Sequence, residues 1–274
     1  MKTDTNKKQD IKQGMVVVMG IPFDEYSSFL KGAAQGPARI REVLNSDSGN
    51  WFTEQMVSLG DEDSFIDIGD LQVYDYFEDI EPAIFDILQK KGRILTLGGD
   101  HSVTYPIIKA YSQFYSDLNI LQFDAHPDLY HEYAGNPYSH GCPFARIMEK
   151  GFIKRLVQVG IRAMTSHQKE QAERFGVEIV EMKDFKPDLD INFKGPVYIS
   201  LDLDGLDPAF APGVSHQEPG GLSVRDILSV IHKLKNPIVG ADIVELNPLR
   251  DINGITATVA GKFLKEFGGM MLEK

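Results

Sequence analysis

Cysteine is nearly absent: Cys142 is the only one in 274 residues. A single thiol cannot close an intramolecular disulfide, which excludes a secreted disulfide scaffold. Long hydrophobic runs are missing too, and nothing approaches the roughly 20 consecutive apolar residues of a membrane span. There is no block of lysine and arginine, and the formal net charge is −12, which argues against nucleic acid as a partner. Residues 1–14, MKTDTNKKQDIKQG, lack the apolar core of a signal peptide and the arginine-rich, acid-poor character of a transit peptide. They read as a polar, frayed lead-in, and the expected location is the cytoplasm. Internal repeats and low-complexity segments are absent. The Gly98-Gly99 pair lacks the lysine of a phosphate loop.

What remains is an ordinary globular composition, 42% hydrophobic and 25% charged, able to bury a substantial core. No composition break divides residues 15–274, which are read as one domain. Short apolar strands are expected at 15–20, 64–70, 93–97, 119–123, 156–159, 178–180, 197–203 and 237–244. Helices are expected at 37–44, 79–90, 104–115, 143–150, 166–175, 223–233 and 254–267. Pro37 suits a first helical turn, and Ser223 with Asp226 three residues on suits a capped helix start. Strands and helices that alternate in this way build βαβ units around a parallel sheet. The expected fold class is α/β, a three-layer α/β/α sandwich around a mostly parallel sheet. Eight clean βα units are not countable, which disfavours a TIM barrel.

Three strands end in metal-grade side chains. Residues 121–128, LQFDAHPD, place Asp124, His126 and Asp128 at alternate positions, so all three side chains can point to one spot. Residues 94–101, ILTLGGDH, deliver His101, and residues 197–204, VYISLDLD, deliver Asp202 and Asp204. Alone, an aspartate after a strand is usually a cap or turn residue. Together, four carboxylates at close range resist common ionisation unless a cation neutralises them. Six protein ligands exceed what one catalytic ion with an open position takes, and suit two ions with shared carboxylates. The oxygen-rich set favours manganese over zinc, so two Mn2+ per chain are expected, with nickel or cobalt as the alternatives.

The segments GGDHS (98–102), FDAHPD (123–128), SHGCPFARI (139–147), SLDLDGLDPAFAPG (200–213) and ELNPLRD (245–251) resemble the ureohydrolases. That superfamily includes arginase, agmatinase, guanidinobutyrase and formiminoglutamase. YSSFL (26–30) and GVSHQEPGGLS (213–223) resemble the plant-type arginases in particular. Tyr130 stands where animal arginases carry a small amide, and residues 141–143 are closer to the agmatinase and animal forms.

The resemblance implies an arginase-like sandwich that hydrolyses a small guanidino substrate, arginine in the first place and agmatine or guanidinobutyrate as the alternative. It implies His101, Asp124, Asp128 and Asp202 around one ion or the bridge, with His126 and Asp204 completing the second. It implies Asp128 and His140 as proton carriers and Glu245 as the carboxylate that orients the guanidinium. Asn136 and Ser139 are candidates for contacts to the α-groups. A homotrimer or homohexamer is expected on the same ground. A single-zinc deacetylase-like site and a non-catalytic regulator are the competing classes. His101 argues against the first, and the complete ligand set argues against the second. Cys142 reads as a small packing residue, since no third group arms it as a nucleophile.

Overall fold

Apolar runs of five to seven residues, buried along nearly their whole length, form all the strands but a four-residue, partly exposed edge strand at 178–181, and the amphipathic stretches between them form the covering helices. The computed structural model describes residues 10–47, 49–61 and 63–273. In chain order the strands are β1 (Val16–Ile21), β2 (Phe65–Asp70), β3 (Arg93–Gly98), β4 (Asn119–Phe123), β5 (Arg155–Ile161), β6 (Glu178–Glu181), β7 (Val197–Asp202) and β8 (Ile238–Val244). The helices are α1 (Gly36–Leu44), α2 (Tyr76–Gln89), α3 (Thr104–Tyr111), α4 (Pro143–Lys150), α5 (Ser166–Phe175), α6 (Val224–Ile231) and α7 (Ile255–Leu272). All pairings are parallel in one open sheet of order β2-β1-β3-β8-β7-β4-β5-β6. The sandwich expectation holds, and the barrel is excluded because the sheet does not close.

Strand side chains alternate between two cores, as the pleat requires. Val16, Val18, Leu95, Leu97, Leu121 and Phe123 pack with α1, α6 and α7. Val17, Met19, Ile94, Ile120, Leu156 and Tyr198 pack with α2, α3, α4 and α5 on the other face. Of the expected lead-in, residues 1–9 lie outside the described residues, while Ile11 packs in the second core.

Helix bounds differ most from the sequence reading at α2, α3 and α7. α2 begins at Tyr76 rather than near 79, because the Asp75 carboxylate accepts from the amides of Phe77 and Glu78 and caps the first turn. α3 stops at Tyr111, short of 115. α7 runs through Gly268 and Gly269 instead of stopping at 267. There a Cβ on Gly269 would lie 2.4 Å from Thr53 Cγ2, so the glycines serve close packing rather than helix termination.

The order of strands creates the site. The chain lays β1 and β3 on one side, crosses to β4 and β5 on the other, and later fills the middle with β7 and β8. The carboxyl ends of β3, β8, β7 and β4 therefore lie side by side at a topological switch point, where ligands bind in open α/β sheets.

Candidate active site

Each strand of that central group delivers its side chains immediately after its last residue. β4 leads into Asp124, His126 and Asp128; β3 leads through Gly99 into Asp100 and His101; β7 ends in Asp202 with Asp204 two residues on; β8 leads into Glu245. Asp128 and Glu245 both hold a positive φ, 51° and 65°. Left-handed backbone costs a non-glycine residue on the order of 1 kcal/mol or more and concentrates at functional sites.

The six predicted ligands converge. His101 Nδ1 lies 3.2 Å from Asp124 Oδ2 and 3.1 Å from an oxygen of both Asp128 and Asp202. His126 Nδ1 lies 3.1 Å from Asp204 Oδ2 and 3.6 Å from Asp124 Oδ1. Asp124 thus turns one oxygen to each imidazole. Two ligand groups result, His101 with Asp124 and Asp202, and Asp124 with His126 and Asp204.

Buried at close range, these imidazoles and carboxylates shift one another's pKa values. Burial works against the His126 imidazolium, but Asp204 and Asp124 outweigh it and raise its pKa to about 12. His101 is raised well above its ordinary value in the same contest, through Asp124, Asp128 and Asp202. Burial and the charge of Asp124 push Asp128 up to about 6. Burial, Asp204 and Asp124 push Asp202 well up. The buried His101 Nδ1 also makes no directed hydrogen bond, although three carboxylates surround it. An imidazole lone pair aimed among carboxylate oxygens is the donor set of a metal ion, so these residues fit one.

Polar side chains inside buried strands hold the ligands in place, and the sequence reading missed them. Gln122 donates to Asp124 Oδ2 at 2.7 Å, and Gln158 donates to Gln122 at 2.6 Å. His101 Nε2 lies 2.9 Å from Ser200 Oγ, which donates to Asp242 at 2.7 Å. Asp242 also accepts from Thr104 and Tyr198. Such partners fix ring orientation and ligand basicity. The available signal was a glutamine or aspartate in the middle of an otherwise apolar strand. Arg162 sets its guanidinium among the carbonyls of Gly160, Asp204, Gly205, Leu206 and Glu218, fastening the loop after β7 to residue 218.

Above the cluster opens a cavity of about 410 Å³, lined among others by Asp128, Tyr130, His140, Gln168, His216 and Glu245. His140 Nδ1 lies 3.0 Å from Glu245 Oε1, which also accepts from the His101 amide at 2.9 Å. Burial lowers the His140 pKa, yet Glu245 wins and raises it to about 9. The same bond holds Glu245 below its ordinary value despite burial. Asn136 and Ser139 are corrected as substrate contacts. Asn136 spends its side-chain oxygen on the Tyr138 amide, Ser139 is buried with its hydroxyl on the Tyr26 carbonyl, and neither lines the cavity. Tyr130, Tyr133, Thr165 and Gln168 line it in their place. Asn136 satisfies its own loop's backbone, as short polar side chains do in turns, and Ser139 ties that loop to the Tyr26 loop.

A parallel-sheet sandwich that gathers imidazoles and carboxylates at its switch point, beneath a substrate-sized cavity, defines a metal-dependent hydrolase. The arginase family model matches residues 15–269. The chain belongs to the arginase family. It is 44% identical to a mitochondrial arginase of Medicago truncatula, over 93% of this chain and 81% of that one. It is 32% identical to an agmatinase of Bacillus cereus, over 93% of this chain and 91% of that one. The solved arginase from Medicago truncatula superposes with a TM-score of 0.89 at 41% identity, covering 97% of this chain and 91% of the other. The cytoplasmic expectation is corrected by these relatives. The Medicago arginase is named mitochondrial, and an Arabidopsis thaliana arginase at 43% identity is named chloroplastic/mitochondrial, which points to an organelle. That expectation rested on the composition of residues 1–14 and on the lack of a membrane-length apolar run, whereas an address is read by receptors from a targeting segment. Among the described residues no helix is long and apolar enough to cross a membrane.

Proposed function

We propose that the protein hydrolyses L-arginine to L-ornithine and urea. The observation that carries this reading is the stack of three layers at the switch point: ligand cluster, paired Glu245 and His140, and open cavity. His101, Asp124, Asp128 and Asp202 would hold one manganese ion, and Asp124, His126 and Asp204 a second, in keeping with the oxygen-rich donor set. Bound divalent metal supplies hydroxide near neutral pH by lowering the pKa of water.

The chain's own residues supply the rest. Glu245 offers a buried carboxylate to a guanidinium, which stays protonated and binds paired acceptors best. Asp128, which lines the cavity with its carboxylate 3.1 Å from His101, would take the proton released by water. His140 can hand a proton to the departing nitrogen, its imidazole charged at neutral pH. One carbon–oxygen bond forms and one carbon–nitrogen bond breaks. Water plus the guanidinium gives urea plus the alkylammonium, with no net proton change.

A second reading, agmatine or 4-guanidinobutyrate as substrate, draws on the cavity wall. Tyr130, Tyr133, Thr165 and Gln168 are all neutral, so no fixed charge there pairs with an α-carboxylate. Urea release by manganese-loaded protein, with the three compounds compared at equal concentration, separates the readings. Arginine is expected to give the highest kcat/KM; a higher value for agmatine overturns the assignment. Assembly as a trimer or hexamer belongs to the same reading.

A further inference from the structure

We propose that Ser28 is a positioning residue: its hydroxyl holds the His140 imidazole, whose tautomer Glu245 sets, in one orientation at the cavity wall. The inference rests on His140 as the proton carrier. Ser28 Oγ lies 2.7 Å from His140 Nε2, and both residues line the cavity. On the other side of the ring, Nδ1 lies 3.0 Å from Glu245 Oε1. An ionised carboxylate can only accept, so Nδ1–H must donate to it, and the neutral ring then carries its lone pair on Nε2. A hydroxyl is the one common side-chain group that serves both protonation states of that nitrogen. It donates to the Nε2 lone pair, and it accepts from Nε2–H once the ring is charged. His140 can therefore gain and lose its proton without losing its partner or turning its ring.

Ser28 sits on a loop built to stay still. Asp100 Oδ2 accepts from the Tyr26 amide at 3.1 Å and from the Ser27 hydroxyl at 3.2 Å. The Tyr26 carbonyl accepts from the His140 amide at 3.2 Å, which joins the two loops directly. Asp24 Oδ2 accepts from the amides of Gly32 and Ala34, and Asn247 donates to the Lys31 carbonyl, so the loop is pinned at its far end as well. A serine used only for solubility would need none of this scaffolding. Here the scaffold ends in one hydroxyl aimed at one imidazole nitrogen.

The test compares Ser28→Ala, Ser28→Thr, His140→Ala and the double variant Ser28→Ala/His140→Ala, all manganese-loaded, with urea release from arginine as the rate. Ser28→Ala is expected to lower kcat roughly 10-fold, a fraction of the ~10²–10⁴ that general acid–base catalysis contributes, with KM nearly unchanged. Ser28→Thr should restore kcat, and Ser28→Ala should add nothing in the His140→Ala background. Nitrogen-15 NMR of histidine-labelled protein above about pH 9, where the ring is neutral, should show the Nδ1–H tautomer of His140 in both proteins, with the Nε2 signal shifted in Ser28→Ala by loss of its hydroxyl donor; an unshifted Nε2 signal overturns the contact. Unchanged kcat in Ser28→Ala, with His140→Ala impaired, overturns the role of Ser28. An equal loss in both backgrounds also overturns it, because Ser28 would then act independently of His140. Full kcat in His140→Ala sinks the proton-carrier reading itself, and the proposal with it.

Discussion

Glu245 shows how much one residue carries when a strand ends in a left-handed turn. Its φ of 65° turns a buried carboxylate back over the site, where one oxygen holds the His101 amide and the His140 ring. Glu245→Gln retains an oxygen that can accept both bonds and removes the charge that faces the guanidinium. Charge-assisted hydrogen bonds contribute about 1.5–3 kcal/mol, so kcat/KM for arginine should fall roughly 10- to 100-fold. Metal content should stay unchanged, as measured by elemental analysis of the same samples. A variant that lost its metal together with its activity would assign Glu245 to the metal layer rather than to the substrate. At this scale the sequence was eloquent. His101, Asp124, His126, Asp128, Asp202 and Asp204 were all legible, because their residue types and strand-end positions are local facts. Asn136 and Ser139 were misread, because a polar side chain in a loop does not declare whether it faces its own backbone or a cavity.

Two segments are fixed by close contact or by charge, and the first brings the ligands together. The turn after β7 lies directly on the end of β4: a Cβ on Gly205 would sit 2.7 Å from Asp124 N and 2.9 Å from Asp124 Cα. Those atoms are backbone and cannot swing aside. Gly205→Ala should cost about 1–3 kcal/mol as overpacking and push Asp204 away from His126. Metal stoichiometry and melting temperature, measured on one preparation, should both drop; retention of full metal content would mean that the turn relaxes without moving its ligands. The second element is the 49–61 segment, pinned far from the site by charge. Glu54 bonds both nitrogens of the Arg225 fork at 2.8 and 3.0 Å and lies 3.2 Å from Lys262. Arg225 first, then Lys262, lower its pKa from 4.5 to about 2, against burial. A depressed folded-state value means that the stabilisation is fully present above about pH 4.5 and is lost as pH falls toward 2. Glu54→Gln should therefore be less stable than the parent at pH 7 and should converge with it near pH 2, as read by urea denaturation at a series of pH values. A constant difference across that range would refute the linkage. Helix bounds at this scale were legible except where a cap such as Asp75 or a packed glycine such as Gly269 overrode the apolar period.

For the molecule as a whole, the ligand cluster is a weak point unless it is filled. Buried carboxylates and imidazoles at close range gain from a cation bound to the folded state alone. Such binding stabilises by about 2.7 kcal/mol at a hundredfold excess over Kd. Chelation should lower Tm by several degrees, and manganese should restore it; an unchanged Tm after verified metal removal would show that the fold does not depend on the site. The sequence by itself determined the alternation of strands and helices, the sandwich and the chemical identity of the ligands, because periodicity and residue type act over a few neighbouring residues. Only the tertiary structure decided that β3, β8, β7 and β4 stand side by side, that Gln122, Ser200 and Asp242 hold the ligands, and that Ser28 meets His140 across 112 residues. Strand neighbours are selected by packing and pairing between distant segments, and no short window of sequence contains that choice.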